Sequence, residues 1–228
     1  MEPDITDITV REGDDMKQWL LSIRTPGKPY TVWQGIRRIL LCLVLGILLG
    51  MFAKQLDLLS YGGGTFWEKA LEWLDLGNFL SDLPFWMAVG LAIAVFAPSA
   101  FQAGDGVFFL FLGMCGAYHW YSVYVGGFNP RGYMRIWYGL TIVSPLLGAL
   151  SWYAKGKGPV AAGLATLILT VLLLSCFYFG FWYFDFRGIL YTVTFLICVF
   201  MLNVNPKRTL CCLAISVVLA FLLRGTIL

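Results

Sequence analysis

Apolar residues in this chain gather into runs of bilayer-crossing length, separated by short polar stretches rich in Gly, Pro, Lys and Arg. Seven such segments, 35–55, 84–101, 105–126, 136–154, 159–181, 187–204 and 208–225, approach the roughly 20 residues that a helix needs to cross the hydrocarbon core. The pattern predicts an all-α fold, a polytopic transmembrane helical bundle of about seven spans with short surface helices. The count falls to six if the last segment, short and ending at Arg224, is re-entrant. Residues 1–34 are expected as a cytoplasmic segment without a cleaved leader, because they lack an apolar signal core. Residues 35–228 then form a single transmembrane domain.

Two polar-flanked stretches carry helical periodicity of their own. Over residues 13–23, Met16, Trp19, Leu20 and Ile23 share a face and predict a short helix on the membrane surface. Between Leu56 and Leu83, Phe66, Ala70, Leu71 and Leu74, edged by Trp67 and Trp73, predict an amphipathic helix stopped at Gly77. That helix is either an interfacial anchor or a lid, with Glu68, Glu72, Asp75 and Asp82 facing solvent. Pro84 suits the first turn of the second span, where its missing N–H costs nothing.

Composition supports the membrane reading. Hydrophobic residues make up 59% of the 228 and charged residues 13%, against about 25% charged in soluble domains. A net charge of +3 spread beside apolar runs gives no nucleic-acid patch. With the N-terminus inside, Arg11, Lys17, Arg24, Lys28, Arg37, Arg38, Lys155, Lys157, Lys207 and Arg208 fall on the cytoplasmic side of a plasma or cytoplasmic membrane. Lys54, Lys69, Arg131, Arg135, Arg187 and Arg224 fall outside. The six cysteines show no repeated CxxC spacing and predict neither a disulfide scaffold nor a zinc site.

Candidate chemistry centres on the lone histidine. Steps of three or four from Asp105 meet Phe109, Leu112, Cys115 or Gly116, His119, Ser122 and Gly126, a face of small and polar residues expected to look inward. His119 is an interhelical hydrogen-bonding residue, a ligand contact or a proton-responsive group. Cys115 and Ser122 lie one turn to either side of it, but no acid stands at a matching spacing, and GxSxG and HExxH are missing. Asp105 reads as a helix cap or first-turn carboxylate.

Tyr and Trp collect toward the outer side beyond what an aromatic belt needs on both interfaces. Among them is the run Phe177 to Arg187, where Asp185 and Arg187 either pair locally or hold the polar ends of a ligand. The candidate ligand-binding residues are His119, Tyr121, Ser122, Trp137, Trp182, Asp185 and Arg187, at the outer ends of the third to fifth spans. For helix packing the candidates are Gly46 and Gly50, with Ser144 and Gly148. The face Thr141, Ser144, Gly148 and Ser151 is expected to pack on Gly163, Thr166 and Thr170, and Pro145 to bend its helix.

In size, helix count and outward aromatic site, the chain is loosely similar to the small substrate-binding membrane subunits of vitamin-uptake transporters, which have six helices and both ends inside. That resemblance implies no residue roles here. Recognition or transport of a small molecule through an outward-facing aromatic cavity is the favoured function. A membrane interaction or assembly subunit, packing through small-residue faces, comes second, and an intramembrane enzyme last. The expected partners are the lipid bilayer and a small-molecule ligand, or a membrane partner subunit in the second case; no cofactor, catalytic residue or nucleic acid is expected.

Overall fold

Each predicted apolar run contains a helix, but several of these begin or end elsewhere than expected. The computed structural model describes residues 15–28, 30–58 and 66–224. In chain order the elements are α1 (15–23), α2 (Val32–Leu58), α3 (Phe66–Leu74), α4 (Leu76–Ser81), α5 (Leu83–Val95), α6 (Ala100–Tyr124), α7 (Arg131–Ala154) and α8 (Gly158–Cys176). A hairpin of β1 (Phe177–Phe179) and β2 (Phe184–Phe186) follows, then α9 (Ile189–Leu202) and α10 (Pro206–Leu223). Among the described residues, α2, α6, α8 and α10 are long and apolar enough to cross a membrane. Residues 1–14 with Arg11, residues 29, 59–65 and 225–228, and the side chains of Trp67, Ala70, Leu71 and Glu72 lie outside the described residues.

Three boundaries correct the sequence expectation. The second apolar run breaks at Phe96, leaving α5 with 13 residues, because Ser99 opens α6 by accepting a hydrogen bond from Gln102 N. Asp105 is therefore inside α6 and not its cap. The fifth run stops at Cys176, where aromatic residues take extended backbone: Phe177 pairs with Phe186, Tyr178 with Asp185 and Phe179 with Phe184. Aromatic side chains favour a pleated surface, and Phe177 packs edge-on to Phe186 and Phe195.

The amphipathic stretch between α2 and α5 is two helices. Asp75, at φ 50°, takes the left-handed turn between them, and Gly77 continues into α4. Gly77 lacks a Cβ because one would stand 3.2 Å from the Leu56 carbonyl oxygen of α2. Asp75 is exposed as expected, whereas Glu68 has a buried carboxylate oxygen and Asp82 is half-buried.

Glycines let helix backbones meet where lipid supplies no hydrophobic drive for association. A Cβ on Gly46 would collide with the Leu110 carbonyl of α6, and one on Gly50 would stand 2.7 Å from the Met114 oxygen. Gly104 of α6 lies against Pro145, and Gly148 of α7 against the Ala103 carbonyl, so the Ser144/Gly148 face packs on α6. It does not pack on Thr166, whose carbonyl accepts from Ser216 of α10 at 2.9 Å. Pro145 has no N–H for the Thr141 carbonyl one turn back; Ser144 Oγ bonds that oxygen at 2.8 Å instead.

At one end of the bundle, arginines bind helix C-terminal carbonyls, the negative ends of the helix dipoles. Arg24 reaches Trp152 O at 2.6 Å and Val95 O at 3.0 Å while lying over the Trp152 ring. Arg38 reaches Ile93 O, and Arg208 reaches Ala154 O and Gly156 O. Ile23 is buried, and its carbonyl accepts from Lys157 N at 2.7 Å, so α1 is docked against the C-terminal ends of α5 and α7. Burial, and then the charge of Arg24, lowers the pKa of Lys155.

Candidate functional site

The opposite end, where α2 and α6 finish and α5, α7 and α9 begin, holds an open cavity of about 570 Å³. Ligand sites commonly enclose about 300–1,000 Å³. Its charged lining residues are Lys54, Asp57, Asp75, Asp82 and Arg187, joined by Tyr118, Tyr133 and Tyr191.

One wall is built on Asp82. A carboxylate before Leu83 and Pro84 is well placed to cap a helix, and Asp82 Oδ1 accepts from Leu83 N at 2.8 Å. Its other oxygen takes Arg187 Nη2 at 2.7 Å and Tyr191 Oη at 3.2 Å. Arg187 Nη1 also donates to Ser175 O at 3.0 Å, and its guanidinium lies 4.7 Å from the Tyr191 ring centre. One arginine thus ties together the start of α5, the end of α8 and the start of α9. Of the two readings of Asp185 and Arg187, the local pair is not formed: Asp185 accepts from its neighbour Phe186 N, and Arg187 pairs with Asp82 while lying 5.9 Å from the Tyr178 ring centre of β1.

The facing wall is built on Lys54, which is only 3% exposed. Its ammonium pairs with Asp57 at 2.5 Å, one helical turn on, and lies 5.0 Å from the Tyr118 ring and 4.6 Å from the Phe128 ring. A buried ammonium needs such partners, because desolvating it unpaired costs several kcal/mol. Tyr118 Oη donates to Asp57 Oδ2 at 3.4 Å, Tyr133 Oη donates to Ser81 O at 2.7 Å, and Asn78 Nδ2 donates to Asp75 Oδ1 at 2.8 Å.

Among the charged lining residues, two cations face three carboxylates, Asp57, Asp75 and Asp82, and each cation is already paired. Arg187 retains N–H donors beyond the two it uses, and Asp57 binds through Oδ2 alone, leaving Oδ1 as an acceptor. The arrangement can hold a polar molecule by several directed hydrogen bonds against aromatic walls. Among the described residues no cluster of three or more His, Cys, Asp or Glu side chains converges to bind a metal.

Of the seven candidate ligand residues, Arg187 alone lines this cavity. Trp137 is buried just below it, 6.1 Å from the Tyr133 ring and stacked on Phe111. His119 faces α7, bonded through Nδ1 to Tyr138 Oη at 2.6 Å and through Nε2 to Asn129 Oδ1 at 3.1 Å. Ser122 is buried and donates to Tyr118 O, while Cys115 bonds Thr141, so neither is hydrogen-bonded to His119. Tyr121 donates to Gln55. Trp182, 90% exposed, and Asp185 sit on the hairpin.

Lys54, Asp57 and Asp82 escape a reading based on single runs, since they resemble flanking charges there. Two local signals point to them: a Lys–Asp pair at i, i+3 closing an apolar run, and an Asp two residues before a helix-starting Pro. No protein-family model matches the chain, nor does any curated protein or solved structure.

Proposed function

We propose that this chain is an integral membrane protein of seven crossing segments that recognises or carries a small molecule by its polar groups in the cavity between Lys54 and Arg187. The N-terminus lies in the cytoplasm and the cavity opens outward. The observation that carries the proposal is the pair of facing ion-pair hubs, Lys54–Asp57 and Asp82–Arg187, around about 570 Å³ of open space.

Helices α5 and α9 are about 20 Å long at 1.5 Å per residue, short of a hydrocarbon core of about 30 Å. Non-helical backbone is tolerated at membrane depth where it lines a polar cavity. Asp82 before α5, and Tyr178 and Arg187 before α9, do line this one. Orientation draws support from the opposite end, where Arg24, Arg38 and Arg208 hold carbonyls and Lys28, Arg37, Lys157 and Lys207 are exposed. The assembly-subunit alternative loses its first candidate surface, since Gly46 and Gly50 are buried against α6 within the chain.

Native mass spectrometry of gently purified protein tests the reading. A small molecule retained by the wild type should be lost from Arg187→Ala and Asp57→Asn, with both variants still folded. Retention unchanged in both would place the site elsewhere.

A further inference from the structure

A second cavity, of about 370 Å³, lies between α5, α6, α7 and α8, within the segments read as membrane-crossing. Its lining is almost wholly aliphatic and aromatic, and small residues hollow it: Gly90 on α5, and Ser144, Gly148 and Ser151 on α7. It runs from Leu83 to Leu91 along α5 and from Leu140 to Ser151 along α7, about 12–16 Å at 1.5 Å per residue. Dividing volume by length gives a section of about 25 Å², room for one hydrocarbon chain at heavy-atom separations of about 4 Å and not for two. A groove of that shape left empty would forfeit van der Waals contact along its whole wall.

The groove and the polar cavity are neighbours. Leu83, at the groove's outer end, directly follows Asp82 of the cavity. A small void of about 10 Å³ touches both, through Trp86 on the groove side and Ser81, Tyr118 and Tyr133 on the cavity side. Resting on the recognition role given to the polar cavity, we infer that the ligand is a membrane amphiphile, with one hydrocarbon chain in the α5–α8 groove and its headgroup in the polar cavity.

Charge decides the class of headgroup. Both cations are already matched, and Asp75 leaves the lining with one surplus negative charge, so an anionic head adds a negative charge that no cation of the lining offsets. A zwitterionic head is complementary: its phosphate takes the remaining N–H donors of Arg187, and its ammonium takes Asp57 Oδ1 and Asp75.

The test is competitive native mass spectrometry on delipidated full-length protein offered equal amounts of phosphatidylethanolamine and phosphatidylglycerol of one chain length, with soluble phosphoethanolamine as a third probe. The zwitterionic lipid should be retained at least about 10-fold over the anionic one. Leu147→Trp and Leu167→Trp, which fill the groove from half-exposed positions and spare the packed core, should each abolish that preference while melting like the wild type. Arg187→Ala should abolish it from the other end. Equal retention of both lipids, or retention indifferent to both groove variants, overturns the inference. Phosphoethanolamine bound as tightly as the intact lipid overturns the amphiphile and leaves the polar-cavity role standing. Lipid preference that survives Arg187→Ala but not the groove variants refutes the cavity's part in it. A second polypeptide found in place of lipid refutes the occupant.

Discussion

Removing Arg187 should loosen three elements at once, and the size of the effect follows from its contacts. Its pair with Asp82 spans 2.7 Å, with the two side chains 27% and 28% exposed. That exposure sets the coupling well below the roughly 3–5 kcal/mol of breaking a fully buried pair, and above the roughly 0–1 kcal/mol of a surface one. About 1–2 kcal/mol is expected for the coupling. The bond to Ser175 O adds about 1 kcal/mol, and the position over Tyr191 about 0.5–1 kcal/mol. Arg187→Ala should therefore cost about 3 kcal/mol in total. Asp82→Asn should cost about the coupling plus about 1 kcal/mol for the Tyr191 Oη bond to the same oxygen, since the Asn oxygen that still caps Leu83 N leaves only an NH2 toward Arg187 and Tyr191. Equilibrium unfolding in mixed micelles of wild type, both single variants and the double variant measures the cycle. The double variant should be less destabilised than the sum of the singles by about 1–2 kcal/mol. Arg187→Lys should recover part of the loss, because one ammonium does not span both Asp82 and the Ser175 carbonyl. Singles that add to within about 0.5 kcal/mol would refute the hub.

Gly46→Val should destabilise by about 1–3 kcal/mol through collision with the Leu110 carbonyl, whereas Gly163→Ala, with nothing within 4 Å of its Cβ position, should be neutral; equal melting of the two would contradict the α2–α6 contact. Arg24→Ala removes two carbonyl bonds and should release α1, seen as faster amide exchange over residues 15–28, and unchanged protection would show that other contacts dock this segment. Trp182→Cys on the hairpin and Lys157→Cys in the α7–α8 turn should react with an impermeant thiol reagent from opposite sides of the membrane; labelling from one side would overturn the seven-span topology.

Helix content and the approximate place of each helix were legible from apolar runs because a helix satisfies its backbone locally, and a run of about 20 apolar residues has few other uses. The same holds for Pro84 in the first turn of α5 and for the close approach at Gly46 and Gly50, where local chemistry leaves little choice. Aromatic density misled at residues 177–186, since an apolar run of Phe and Tyr suits a hairpin as well as a helix end. The cavity was decided only by tertiary structure. Tyr191 meets Asp82 across 109 residues of sequence and Tyr118 meets Asp57 across 61, and each meeting depends on helix rotation and on which helices are neighbours. An apolar run leaves that rotation undetermined when most of its faces are greasy. Thus His119, conspicuous along the chain, turns to Tyr138 and Asn129, while Lys54 and Asp82, ordinary flanking charges in one dimension, are brought to a shared cavity by the packing of α2, α5 and α9.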